Sequence, residues 1–181
     1  IGELISFGAY EGFRLSLYTN AYLLNRKLFE RHPGLWDLDV LRVSLYGLDD
    51  ESYMNATGKA AAFQRVKQNL VELLSLRHER NKNMKVGLNL IILPNQAWQA
   101  PKVLDLITDV NDLSGAPRGI DFLTLREDYT PADSEEKYED HSALVSAFQD
   151  VRERCRHPQL KNLNIDYGYA LHPISKGVKS S

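Results

Sequence analysis

The chain is predicted to be an α/β protein with parallel strands, and three observations carry that expectation. Strand-like and helix-like segments alternate on a short period along the 181 residues, the arrangement of parallel strands joined by crossover helices. Met84–Leu93 is apolar enough to be covered on both faces, as interior parallel strands are. The strand ends carry hydrogen-bonding residues: Thr19-Asn20, Ser44-Leu45-Tyr46, Pro94-Asn95, Arg126-Glu127-Asp128 and Asp166-Tyr167. In α/β architectures ligands meet the carboxyl ends of the strands. Right-handed crossovers leave two closures, an open doubly wound sheet or an arc of a TIM-like (β/α) barrel, and periodicity does not choose between them.

Phe13–Thr19 alternates and is β-rich, with Asn20 closing it. Ala21–Arg31 reads as a helix that stops before His32-Pro33-Gly34. Val40–Tyr46 is a second strand, ended by Gly47, and Asp49–Tyr53 a short helical turn. Ala60–Arg80 places Phe63, Val66, Leu70, Leu73 and Leu74 at helical spacing. Met84–Leu93 is a third strand, closed by Pro94, and Val103–Leu113 a helix with Val103, Leu106, Ile107 and Val110 on one side. Ile120–Leu125 is a fourth strand, Glu139–Arg154 a helix, and Asn162–Ala170 a fifth strand.

Composition narrows the class. At this length one domain with a real core is expected, and 43% hydrophobic with 25% charged residues suits a soluble globular chain. The longest apolar stretch, Val86–Pro94, is broken by Asn89 and too short to span a bilayer. A net charge of −2 gives no basic footprint for nucleic acid. A lone cysteine argues against a disulfide scaffold and for a reducing, cytoplasmic setting.

The common site motifs are missing: no glycine-rich phosphate cradle, no HExxH, no His/Cys cluster and no GxSxG elbow. His32, His157 and His172 stand directly before prolines and read as loop residues; His78 and His141 read as solvated helix positions. Cys155 lies between Arg154 and Arg156, which would lower its pKa, although a structural thiol is the simpler reading.

Tyr18-Thr19-Asn20, Arg42–Gly47, the helix start Gly58…Phe63-x-Arg65-Val66 and the strand through Leu88–Leu93 resemble consecutive parts of a radical S-adenosylmethionine (radical SAM) barrel. Thr19-Asn20 is similar to the Thr-Asn-Gly that ends the third strand of that superfamily, with Ala21 replacing glycine, and Ser44 to the serine of its fourth strand. A closer resemblance runs from Tyr18 to about Leu171, to the radical SAM deaminases of TDP-4-amino-4,6-dideoxyglucose from desosamine biosynthesis. Its words are Pro33-Gly34-Leu35-Trp36, Ser44–Leu48, Thr57-Gly58-Lys59, Ile120-Asp121-Phe122, Arg126-Glu127-Asp128-Tyr129 and Ile165–Leu171. The family's CxxxCxxC loop, its GGE-type segment and its C-terminal region have no counterpart here. Residues 1–181 are therefore expected to be a partial barrel domain, truncated at both ends.

The resemblance implies that a [4Fe–4S] cluster, with ligands outside this chain, cleaves S-adenosyl-L-methionine to a radical that takes a hydrogen from a nucleotide-sugar substrate. It implies an electron donor such as flavodoxin or ferredoxin. Asn20, Ser44, Arg65 and Arg126 are the expected cofactor residues, Ser44 for the ribose or amino-acid part and Arg65 as a fork-shaped partner of the carboxylate. Arg126 would equally suit the phosphates of the nucleotide sugar. Tyr46, Glu127, Asp128 and Tyr167 are the expected substrate residues, with Tyr169 beside them. Plainer readings stand next to each: a turn or cap for Asn20 and Asn95, a surface helix arginine for Arg65, an internal salt-bridge network for 126–128, and buried tyrosines with one hydrogen bond for Tyr167 and Tyr169.

The functional expectation is the middle part of a radical SAM lyase that removes ammonia from a nucleotide-linked amino deoxysugar, inactive as this chain alone. The alternatives are a cluster-free (β/α) protein that binds a nucleotide sugar or another phosphorylated metabolite, or a degenerate barrel arc used for association. Exposed sheet edges would make the isolated chain prone to aggregate.

Overall fold

The computed structural model describes residues 1–93, 96–127 and 141–168. Five strands form one all-parallel sheet in the order β1 (Ser16–Thr19), β2 (Val40–Leu45), β3 (Lys85–Ile92), β4 (Phe122–Glu127), β5 (Asn164–Tyr167). Between them run α2 (Arg26–Arg31), α3 (Asp50–Thr57), α4 (Ala62–Glu79), α5 (Gln99–Ser114) and α6 (His141–Arg154), and α1 (Gly2–Tyr10) precedes β1. Strand order follows chain order without a reversal. Right-handed crossovers that always step the same way deliver every helix to the same face. Accordingly α2 and α3 pack on α4, α4 on α5, and α5 on α6, in a single layer. A doubly wound sheet needs a reversal of strand order, so that closure is not the one found; a barrel arc is compatible with this order.

The core lies between sheet and helices. Leu41, Val43 and Leu45 of β2 face Val86, Leu88, Leu90 and Ile92 of β3 and Leu123 and Leu125 of β4 along the register Leu41↔Val86, Leu88↔Leu123. Against them lie Val66, Leu70, Leu73 and Leu74 from α4, Val103, Ile107 and Val110 from α5, and Leu144, Phe148 and Val151 from α6. Each fully buried aliphatic side chain of this kind contributes about 1.5–3 kcal/mol. The other sheet face is different. Burial alternates along β1, β2 and β5, and on this second face Tyr18, Ile91, Arg126, Asn164 and Asp166 are exposed.

Several boundaries depart from the sequence reading. β1 starts at Ser16 rather than Phe13. The helix expected over Ala21–Arg31 begins at Arg26, because three polar side chains capture the backbone first. Thr19 Oγ1 accepts from Ala21 N (3.1 Å), Asn20 Oδ1 from Tyr22 N (3.1 Å), and Asn25 Oδ1 caps α2 through Leu28 N (3.1 Å). Such side-chain bonds offer the chain a turn in place of a helix. Asp49–Tyr53 extends into α3, which has an Asp49/Ser52 capping box, and α5 starts at Gln99, four residues before Val103. The expected starts of α6 and the end of β5 fall partly outside the described residues.

Two features were not anticipated. Pro33–Asp37 forms a 3-10 turn, and α1 packs on it. A Cβ on Gly34 would stand 2.2 Å from the Gly2 carbonyl oxygen, so only glycine permits that approach. Helix α1 buries Gly2, Ile5 and Gly8 while Leu4, Phe7 and Tyr10 point outward. Its hydropathy pattern therefore marks the face that is not packed. Among the described residues no helix is long and apolar enough to cross a membrane.

Candidate functional site

The second face of the sheet is built in cross-strand rows, because side chains alternate along each strand and parallel register aligns them. The row nearer the amino ends is Tyr18, Arg42, Gly87, Phe122 and Asn164. Gly87 leaves a gap that the Phe122 ring fills; a Cβ there would lie 2.1 Å from Phe122 Cε2. The Arg42 guanidinium rests 4.6 Å from the centre of that ring and 5.7 Å from the Tyr18 ring. Arg42 Nη1 also donates to Thr124 Oγ1 (3.3 Å). Arginine is held here by two aromatic faces and a hydroxyl, an arrangement its planar, weakly hydrated head tolerates.

One step toward the carboxyl ends, the row is Ser44, Asn89, Thr124 and Asp166. Four polar side chains in register on one sheet face are costly unless they are solvated or serve a ligand. Asn89 is only 9% exposed, and its Oδ1 is buried with no hydrogen-bond partner among the described residues. Asp166 is exposed and has no ion-pair partner among the described residues. Above this row Ile91 pairs with Arg126, so Arg126 shares the face.

At the carboxyl ends of β1 and β2 an open cleft of about 250 Å³ is lined by Asn20, Tyr22, Tyr46, Tyr53, Thr57, Lys59, Ala62 and Val66. Its floor is aromatic: Tyr46 meets Tyr53 edge-on at 6.2 Å, and Tyr53 leans on Phe63 at 5.7 Å. Burial pushes the Tyr53 hydroxyl up to about 12, against a smaller downward pull from the Tyr46 backbone. Among the described residues the hydroxyl has no partner in hydrogen-bond geometry. Lys59 Nζ and Arg65 Cζ lie 4.7 and 4.2 Å from the centre of the Tyr22 ring. The loop that brings Tyr22 there is fixed from below. Buried Asn69 donates to the carbonyls of Ala21 (2.8 Å) and Tyr22 (3.0 Å), and Ala21 takes φ 57°. That left-handed conformation favours glycine, the residue found there in the superfamily tripeptide that Thr19-Asn20-Ala21 resembles.

The expected residues sort as follows. Asn20 and Tyr46 line the cleft, Arg65 stands at its rim on the Tyr22 ring, and Ser44 and Arg126 lie on the polar sheet face. Asn20 is at the same time engaged in its own turn through Tyr22 N. Glu127 pairs with Ile92 in the β3–β4 register. Tyr167 is on the helix-covered side, its ring edge-on to Phe148 at 4.9 Å, and burial raises its pKa. Asn95, Asp128 and Tyr169 lie outside the described residues. Sequence reasoning gave no site role to Arg42, Asn89 and Thr124, and named Asp166 at a strand end without assigning it one. The signal was present as the two-residue spacing Arg42-x-Ser44 and Thr124-x-Arg126, and in Asp166 as the alternate of Tyr167. Lys59 was missed although Thr57-Gly58-Lys59 was one of the matching words.

Cys155 follows α6, which runs back toward the amino ends of the strands, so the thiol lies at the end of the sheet away from the cleft. Burial raises its pKa more than Arg154 lowers it, contrary to the lowering its arginine neighbours suggested. No group of three or more metal-ligating residues occurs among the described residues. This chain therefore does not fit an iron–sulfur cluster, which needs several thiolates together. Lys59 in the cleft and Arg65 at its rim are of the kind that suits a carboxylate, and Ser44, on the sheet face beside it, of the kind that suits a hydroxyl. A larger groove of about 760 Å³, lined by Asp105, Asp150 and His157 among others, belongs to the outer helix layer and is remote from the strand mouths.

No family model matches the chain. It is 42% identical, over 183 aligned residues and 98% of its own length, to dTDP-4-amino-4,6-dideoxy-D-glucose ammonia-lyase of Streptomyces venezuelae. The chain spans 36% of that relative's length. The likeness bears out the resemblance to deaminases of this amino sugar that the matching words carried.

Proposed function

We propose that the chain is the middle part of a radical SAM enzyme that eliminates ammonia from a nucleotide-linked amino deoxysugar. The observation that carries this reading is the 42% identity to an ammonia-lyase of a dTDP-amino sugar, sustained over 98% of the chain. The fold supports it. Five parallel strands in chain order with one helix layer are compatible with an arc of a (β/α) barrel, in which the second face would line the lumen. In such barrels the reacting groups gather at the carboxyl ends of the strands, where the cleft and the polar rows stand.

S-adenosylmethionine, with a cluster held by residues outside this chain, supplies when bound the hydrogen-abstracting radical. The chain's own residues bind and orient. Arg65 and Lys59, both over the Tyr22 ring, would hold the carboxylate of the cofactor, Ser44 its ribose, and Asn20, beside Tyr46 in the cleft lining, its remaining polar groups. Arg126, on the upper row, is the fork-shaped donor for the diphosphate of the sugar nucleotide. The barrel wall excludes water from the sugar. The partners are the nucleotide sugar and a small electron carrier of the flavodoxin or ferredoxin class, in the cytoplasm.

The test is anaerobic turnover. The full-length protein, reconstituted with iron and sulfide, is incubated with S-adenosylmethionine, a reductant and dTDP-4-amino-4,6-dideoxyglucose. Ammonia released only when iron and S-adenosylmethionine are both present is the expected result, with residues 1–181 alone inactive. Tight sugar-nucleotide binding that is indifferent to iron, with no ammonia, would leave a binding module instead.

A further inference from the structure

The polar row Ser44–Asn89–Thr124–Asp166 is richer in acceptors than cofactor binding at the neighbouring cleft requires. Asp166 offers a carboxylate, and Asn89 an amide oxygen that nothing among the described residues satisfies. Thr124 Oγ1 already accepts from Arg42, which leaves its hydrogen free to donate. The row thus presents two acceptors and two hydroxyls side by side, at the spacing of neighbouring strands. That complements a ring carrying hydroxyls and one positively charged amine. The charges around it are of the other sign: Arg42 lies in the row below and Arg126 in the row above. Asp166 is the one acid among the strand residues that share this face.

We infer that Asp166 holds the amino group of the substrate sugar, with Asn89 and Thr124 taking its hydroxyls, so that this row and not Tyr167 selects an amino sugar over a hydroxyl sugar. The assignment rests on the reading of the chain as part of a nucleotide-sugar deaminase. Asp166 binds the ammonium while Arg126 binds the diphosphate, and the two fix the sugar in one orientation across the sheet. Tyr167, its immediate neighbour, points to the opposite side and packs on Phe148. The competing role for Asp166 is an ion pair with Arg126, its diagonal neighbour across β4 and β5, which would hold the strands and touch no ligand.

Binding separates the two. The full-length protein and its Asp166→Asn and Asp166→Glu variants are titrated calorimetrically with dTDP-4-amino-4,6-dideoxyglucose and with dTDP-6-deoxyglucose, which carries a hydroxyl in place of the amine. A charge-assisted hydrogen bond accounts for about tenfold or more in affinity. Asp166→Asn is therefore expected to weaken the amino sugar by about that factor, to leave dTDP-6-deoxyglucose within about threefold, and to regain part of the loss as Asp166→Glu. Equal losses for both sugars, or no loss for either, would overturn the assignment and leave the ion pair. If the unsubstituted protein binds neither nucleotide, the deaminase reading itself fails and this assignment with it.

Discussion

The two ends of the sheet treat charge in opposite ways. At the amino ends of β3 and β4 the buried charge is answered. Arg77, 2% exposed, donates to Asp121 Oδ2 (2.7 Å) and to the carbonyls of Met84 (3.3 Å) and Gly119 (2.7 Å). Asp121 in turn accepts from Arg118 Nε (2.6 Å) and from Val86 N (2.7 Å). Toward the carboxyl ends Asp166 has no ion-pair partner among the described residues, and the buried Asn89 and Tyr53 each keep an unsatisfied oxygen. A closed network fixes a structure, whereas groups left open cost stability and are retained where a ligand answers them. One end of this sheet is closed on itself, and the other is the end we propose for binding.

Breaking the closed end should have the largest effect. Burial, with a smaller push from the Arg118 charge, lowers the pKa of Arg77, and Asp121 opposes that shift. Asp121→Ala would strand a guanidinium that is nearly solvent-free and orphan the Val86 N–H, so about 3 kcal/mol of stability should be lost. Arg77→Ala should cost a similar amount. Denaturant melts of the two single variants and the double one form a cycle, in which the double loss should fall well short of the sum. Additive losses would mean that the amino end is a set of independent contacts and that the contrast between the ends is overstated.

How much of this was legible in the sequence follows the same division. Strand existence and parallel pairing could be read because Val40–Leu45, Lys85–Ile92 and Phe122–Glu127 announce themselves by apolar content. The Arg77–Asp121 network could not, since the partners are 44 residues apart and each looks like an ordinary surface residue. Helix α1 was invisible because its packed face is glycine and its apolar residues point outward. At the site, Ser44, Tyr46 and Arg126 were placed at the right end by their position after apolar runs. Which face a strand residue occupies depends on register, and a shift of one residue inverts it. That is why Tyr167 was chosen over Asp166.

Asp49 qualifies the contrast, for it is a charge at the carboxyl end that is answered. Its carboxylate caps α3 through Ser52 N (2.8 Å) and Ser52 Oγ (2.7 Å), with Lys102 at 3.3 Å. The Ser52 side-chain hydrogen bond, then its backbone bond, holds Asp49 below the ordinary carboxylate range. A lowered folded-state pKa makes the stabilisation complete above the unfolded pKa of about 3.9 and removes it as pH falls through the lower, folded value. Asp49→Ala should therefore cost about 1 kcal/mol at neutral pH. Melts repeated at descending pH should show that difference shrinking below about pH 4. A gap that persists unchanged in strong acid would mean that the side chain works through packing rather than through its charge.

The smallest effect on stability is expected where the binding reading is strongest. Arg126 is exposed on the upper row and has no ion pair within 4 Å among the described residues. Exposed positions of this kind usually change stability by no more than about 0.5 kcal/mol when truncated. Arg126→Ala should then melt like the unsubstituted protein while losing affinity for the sugar nucleotide, since a diphosphate deprived of its fork-shaped donor has only point charges left to hold it. The pairing of an unchanged melt with a weakened ligand distinguishes a binding end from a folding end. A loss of more than about 1 kcal/mol would place Arg126 in an interstrand ion pair with Asp166, and the carboxyl end would then share the closed character of the amino end.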